Sequence, residues 1–179
     1  ARLARRQHRD IHGARARLNI WVDHEVFDDE ATKSLASTDV SAIVETLDGS
    51  GIVVERAMYY TPGNVTFLAG HESAGVTEPA THWYLAEGAT GAFFDMFLLI
   101  ANPTDQQADV AVTYLLPDGS QIRHEHRVEA SQRYTIWVDE AAPALAATAV
   151  SMVVESTNGV PLVVERSMWW PGNSRTWTE

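Results

Sequence analysis

Cysteine is absent from the 179 residues, which at once excludes a disulfide framework, a thiolate metal site and a cysteine nucleophile. Lysine occurs a single time, at Lys33, so the positive charge is carried by arginine. No apolar stretch approaches the roughly 20 residues that cross a bilayer as a helix. The longest, Ala92 to Ala101, contains Asp95 and reads as a buried strand, so no membrane insertion is expected. The signatures G-x-S-x-G and H-E-x-x-H and a phosphate-cradling glycine loop are also missing. Carboxylates are plentiful, but two acids at an unspecified separation do not define a glycosidase. The chain is therefore read as non-enzymatic, with no catalytic residue and no cofactor.

What is present describes a folded chain: 45% of residues are hydrophobic and 21% charged, enough for one large or two small cores. The net charge of −11 is uneven. Arg2, Arg5, Arg6, Arg9, Arg15 and Arg17 against Asp10 leave the first 19 residues near +5 and the remainder near −16. An acidic body argues against nucleic acid, because phosphate binding needs a positive surface. The basic start suits contact with an acidic protein surface, or else a solvated edge that discourages strand pairing. It lacks the apolar stretch of a secretion leader, so an extracellular chain would have lost its leader or would begin within a longer polypeptide.

Val53 to Tyr60 reads VVERAMYY and Val163 to Trp170 reads VVERSMWW. The same unit is written twice. Arg17 to Asp23 aligns with Arg133 to Asp139, placing Trp21 on Trp137, and Val40 to Glu45 aligns with Val150 to Glu155. The first copy carries six extra residues between these blocks, in a stretch that includes Asp28, Asp29 and Glu30.

Alternating apolar residues, β-branched enrichment and turns at Asp48-Gly49, Asn102-Pro103, Asp118-Gly119 and Asn158-Gly159 make an all-β pattern. Seven strands are predicted in the second copy, near His82 to Ala86, Phe93 to Ala101, Asp109 to Leu116, Gln121 to Val128, Arg133 to Val138, Val150 to Ser156 and Leu162 to Met168. That number in so short a span suits an immunoglobulin-like antiparallel β-sandwich. The expected organisation is a tandem: a partial unit over 1–60, a connector over 61–81 and a full unit over 82–179. The partial unit holds only later strands, near Leu3 to His12, Arg17 to Val22, Val40 to Thr46 and Ile52 to Met58. Half a sandwich leaves an apolar face and a sheet edge open, so another polypeptide or preceding sequence should supply the missing strands.

The run from His82 to Ser120, with WYLAEG, the Asn102-Pro103 turn and TYLLPDG, followed by VVERSMWW, resembles a family of bacterial extracellular tandem β-sandwich repeats of unknown function. The resemblance covers nearly the whole chain, as a partial unit followed by a full one. It implies spacer units of large secreted or surface-anchored polypeptides. It transfers no catalytic residue.

The candidate residues divide into two groups. Glu55-Arg56 and Glu165-Arg166 recur in both copies; neighbours on a strand face opposite ways, so cross-strand pairing is expected, with Glu45 and Glu155 as partners of the arginines. Trp83-Tyr84 and Trp169-Trp170, with Trp21 and Trp137, are candidates for contacts between units or for stacking on carbohydrate. His124 and His126 share one strand face and could hold a metal if a third ligand arrived, but read as a solvated edge. Asp23, Asp28, Asp29 and Glu30 offer oxygen ligands for calcium at spacings that match no loop motif. No metal site is assigned. The leading reading is a structural segment of a surface stalk or filament, with protein partners that are neighbouring repeat units joined head-to-tail. The alternative is a carbohydrate-binding or adhesive module.

Overall fold

The computed structural model describes residues 16–22, 35, 39–60 and 69–169. The segment Leu3 to His12, the acidic residues Asp28, Asp29 and Glu30, and Trp170 lie outside the described residues.

The chain is all-β, with antiparallel sheets. Two strands, β1 (Glu55–Tyr60) and β2 (Ala69–Ala74), form a hairpin. Seven more follow: β3 (His82–Leu85), β4 (Asp95–Ala101), β5 (Ala108–Leu115), β6 (Gln121–Val128), β7 (Arg133–Trp137), β8 (Ser151–Ser156) and β9 (Val163–Trp169). These seven coincide with the strands expected from the alternation. The alanine-rich stretch after β7 contributes only α1 (Val138–Ala141) and a 3-10 turn at Pro143–Leu145.

The seven strands make a four-stranded sheet, β3-β8-β5-β6, over a three-stranded sheet, β7-β4-β9. In an immunoglobulin constant sandwich the sheets are ABED and CFG. The second strand pairs with the fifth here and the third with the sixth, as in that arrangement. The flanking strands are exchanged: first β3 lies beside β8, last β9 beside β4, and β6 beside β5.

Period-2 alternation supplies the core. Met96, Leu98 and Ile100 of β4 face Val110, Val112 and Tyr114 of β5 and Met152 and Val154 of β8, all buried. The motif residues fasten the edges of this core. The Trp83 indole donates to the carbonyls of Ala80 and Leu162, both at 3.1 Å, tying the start of β3 to the start of β9. Gly88, which closes WYLAEG, has room for no side chain: a Cβ there would stand 2.6 Å from Met96 Cε and 2.9 Å from the Val150 carbonyl.

The first copy behaves differently. Residues 17–21 and 40–46, expected as strands, join no ladder. Their counterparts β7 and β8 are held by β4 and by β3 and β5, and residues 1–60 contain no sequence equivalent to those three. A strand without a partner leaves its backbone to water. Among the described residues of that copy, the VVER strand alone finds a partner, and that partner corrects the expected connector: residues 69–74, inside 61–81, form β2 and pair with β1 over Glu55↔Ala74 to Tyr60↔Ala69.

The consequence is visible in side-chain exposure. Val22 is 36% exposed where its counterpart Val138 is 0%; Val44 is 50% where Val154 is 0%; Ile52 is 52% where Leu162 is 1%. Residues that build a core in one copy stand half in water in the other.

Candidate functional site: the joint between the copies

The outer face of the β7-β4-β9 sheet carries Arg133, Thr135 and Trp137, then Asp95, Phe97 and Leu99, then Glu165, Ser167 and Trp169, by the ladder register. Segments of the first copy meet it at both edges. At β9, the Arg56 guanidinium is 2.9 Å from the Glu165 carboxylate, and the Ser73 hydroxyl donates to the other oxygen of Glu165 at 3.1 Å. The His71 ring lies 6.5 Å from the Trp169 ring. At β7, the Asp39 carboxylate pairs with Arg133 and accepts from the Thr135 hydroxyl at 3.3 Å.

Strand parity explains which residues meet. Arg56 and Met58 occupy one face of β1, opposite Ser73 and His71 of β2 in register, and all four are half-buried. Their counterparts Arg166 and Met168 share the face of β9 that bears buried Val164. The face of the first copy that should line its own core is thus laid against a neighbour's outer surface. That surface mixes charged, polar and aromatic side chains, and the fit is incomplete: Arg56 Nε and Nη2, His71 Nε2 and Ser167 Oγ are buried without a hydrogen-bond partner. Such orphaned groups are uncommon in an optimised interface. The Arg56–Glu165 ion pair is only partly buried, which limits it to about 1 kcal/mol.

Burial lowers the His71 pKa from its ordinary 6.5, and the Arg56 guanidinium lowers it further; Glu165 opposes this and Arg166 adds to it. An imidazole held neutral in the fold stabilises it above pH 6.5, and that contribution is lost as the pH falls through the folded value. We expect docking of the β1-β2 hairpin to weaken between pH 7 and pH 5, read as a fall in the amide protection factors of 55–60, each corrected for the intrinsic exchange rate at that pH. His71→Gln should flatten the dependence, and a wild-type profile already flat over that range would contradict it.

The pairing expected from sequence is corrected in its partners. Arg56 meets Glu165 of the other copy, and not Glu45. Glu155 pairs with Arg123 at 3.9 Å and His82 at 3.7 Å; β8 and β9 belong to different sheets, so Arg166 is no cross-strand neighbour of Glu155. Among the described residues Glu45, Glu55 and Arg166 form no ion pair. The inter-copy pair had a signal in the sequence, the recurrence of Glu-Arg at equal places, but not its partner.

The aromatic candidates are spread out. Trp83 is held to backbone carbonyls, Tyr84 is exposed on the other face of β3, and Trp21 is exposed in the first copy. Trp137 stacks on Phe97 with ring centres 5.7 Å apart. Beside it lies a hollow of about 220 Å³ lined by Asp95, Trp137, Asp139, Glu140 and Ala146. Asp139 is occupied there, accepting the amides of Gly91 at 3.0 Å and Met96 at 2.9 Å. A second hollow of about 240 Å³ lies at the WYLAEG end, between Ala86 to Gly88 and Ala149 to Ser151. Among the described residues no three His, Cys, Asp or Glu side chains converge as a metal site, and no helix is long and apolar enough to cross a membrane.

No family model matches the sequence, and no curated protein does. Among solved structures, the Anabaena sensory rhodopsin transducer is 21% identical, with a TM-score of 0.44 over 52% of this chain and 92% of that one. A Thermotoga maritima protein, 1070, is also 21% identical, with a TM-score of 0.49 over 55% and 88%.

Proposed function

We propose that this chain is a structural and interaction segment of an extracellular stalk or filament, built from tandem β-sandwich units, in which the first copy is completed by strands of a neighbouring unit. The carrying observation is the exposure of Val22, Val44 and Ile52 beside the full burial of Val138, Val154 and Leu162. The occupant is defined by what residues 1–60 do not contain: strands equivalent to β3, β4 and β5, delivered by addition to the open edges of 17–22 and 40–46. Burying several half-exposed aliphatic side chains would contribute on the order of 5 kcal/mol. The unsatisfied joint at Arg56, His71 and Ser167 then stands in for a better contact. The charge contrast, near +5 over the first 19 residues and near −16 beyond them, favours head-to-tail approach of one unit to the next. The role is associative and mechanical, with no chemical step.

The test is to fuse a second copy of residues 82–120, through a flexible linker, ahead of residue 1. Amides 40–46 should gain at least tenfold protection from hydrogen exchange, and Trp21 emission should shift to the blue. Unchanged exchange at 40–46 in a folded fusion would overturn the proposal.

A further inference from the structure

The side of the sandwich between edge strand β6 and β7 is open, and four ring side chains fill it. His124 and His126 project from the inward face of β6, on which they alternate with outward Arg123, Glu125 and Arg127. Tyr114 reaches in from β5 and Tyr134 from β7. Tyr114 meets His124 edge-on at 5.8 Å between ring centres, His124 stands 6.3 Å from His126, and His126 stands 5.5 Å from Tyr134.

Two polar atoms here are anomalous. The Tyr114 side chain is 0% exposed, yet its hydroxyl has no hydrogen-bond partner, and neither has the buried Nε2 of His126. A polar atom buried in an apolar core without a partner calls for a specific explanation, and a bound ion is one. Residues with a purely packing role would be served here by phenylalanine or leucine. What stands here instead is two imidazoles two residues apart on one strand face, with the Tyr114 ring edge-on to one of them.

We propose that this mouth binds one divalent transition-metal ion of the zinc and copper class, held by His124, His126 and the Tyr114 oxygen, with Tyr134 closing the site. Imidazole is the ligand these ions share. Two imidazoles on one tetrahedral ion, at about 2 Å each, have ring centres roughly 5 Å apart, so the 6.3 Å between His124 and His126 would have to close by about 1 Å on binding. The ligands come from two adjacent strands, β5 and β6, and β6 is an edge strand of its sheet, so the ion would enter at that edge, past the partly exposed imidazoles. It would pin that edge and the β6-β7 side of the unit.

The test is calorimetric titration of the full chain with Zn²⁺. Saturable binding of one equivalent is expected, weakened by more than about tenfold in His124→Gln and in His126→Gln and by a smaller factor in Tyr114→Phe, with His71→Gln unchanged. Far-UV circular dichroism checks that each variant folds. A second measurement needs no variant: substoichiometric Cu²⁺ should broaden the His124 and His126 ring signals in the wild-type NMR spectrum before those of other histidines. Wild-type affinity retained in a folded His124→Gln/His126→Gln chain, no saturable Zn²⁺ binding, or Cu²⁺ broadening elsewhere first would each overturn the site and leave a buried water as the partner.

Discussion

Replacing Asn102 by alanine should destabilise the second copy by about 3–5 kcal/mol, read as a lower urea midpoint at an unchanged slope. The side chain is fully buried and joins two loops. Its amide nitrogen donates to the carbonyls of Gln106 at 2.7 Å and of Val128 and Glu129, each at 3.1 Å. Its oxygen accepts the Thr104 amide at 3.0 Å and the Thr104 hydroxyl at 2.8 Å. Alanine removes all of these and leaves carbonyls and an amide dry, each costing about 1–3 kcal/mol with partial relief by relaxation or water. Aspartate is the sharper probe: it keeps the acceptor but turns a carboxylate oxygen towards three carbonyls, and should cost at least as much. A change below about 1 kcal/mol in both variants would show that water replaces the side chain without loss.

Asp139→Ala should cost about 2–4 kcal/mol, measured by thermal unfolding. The carboxylate is 9% exposed and holds the amides of Gly91 and Met96, fixing the loop into β4 against the start of α1. Hydrogen bonds to a charged acceptor are the stronger kind, and their loss strands two buried amides. Asp139→Asn retains one acceptor and should fall about midway. Equal stability of the alanine variant and the wild type would remove this carboxylate from the structural account and return it to the hollow it borders with Asp95 and Glu140.

Much of the second copy was legible because its determinants are local. Met96, Leu98 and Ile100 alternate with Asp95, Phe97 and Leu99, and turn residues bracket each run, so the seven strands follow from spacing alone. The first copy misled for the opposite reason. Leu18, Ile20 and Val22 carry the strand pattern as clearly as Tyr134, Ile136 and Val138, yet a ladder depends on residues distant in sequence, and residues 1–60 hold no equivalents of the strands that partner β7 and β8. Conversely β2, AGHESA, has no apolar alternation; it is a strand because β1 offers it an edge. The sites were legible in part. Recurrence singled out Glu165 and Arg56, but not that they meet each other. Asn102 read as a turn residue, since nothing local reveals that Val128 and Glu129 come within its reach. The partnerless Tyr114 hydroxyl is a property of packing, which no one-dimensional pattern records.

The exchange of the terminal strands bears on how the unit transmits load. His82 pairs with Glu155 and Ala80 bridges Leu162, so β3 and β9 both begin at one end of the sandwich; Trp169, opposite Asp95, ends β9 at the other. Tension applied through the two chain ends therefore runs the full length of the unit and slides β3 along β8 and β9 along β4. Ladder bonds lie across the strands, so they resist this sliding together, where a pull at a single end would part them one after another. A unit with this strand order would meet a pull along its length in shear.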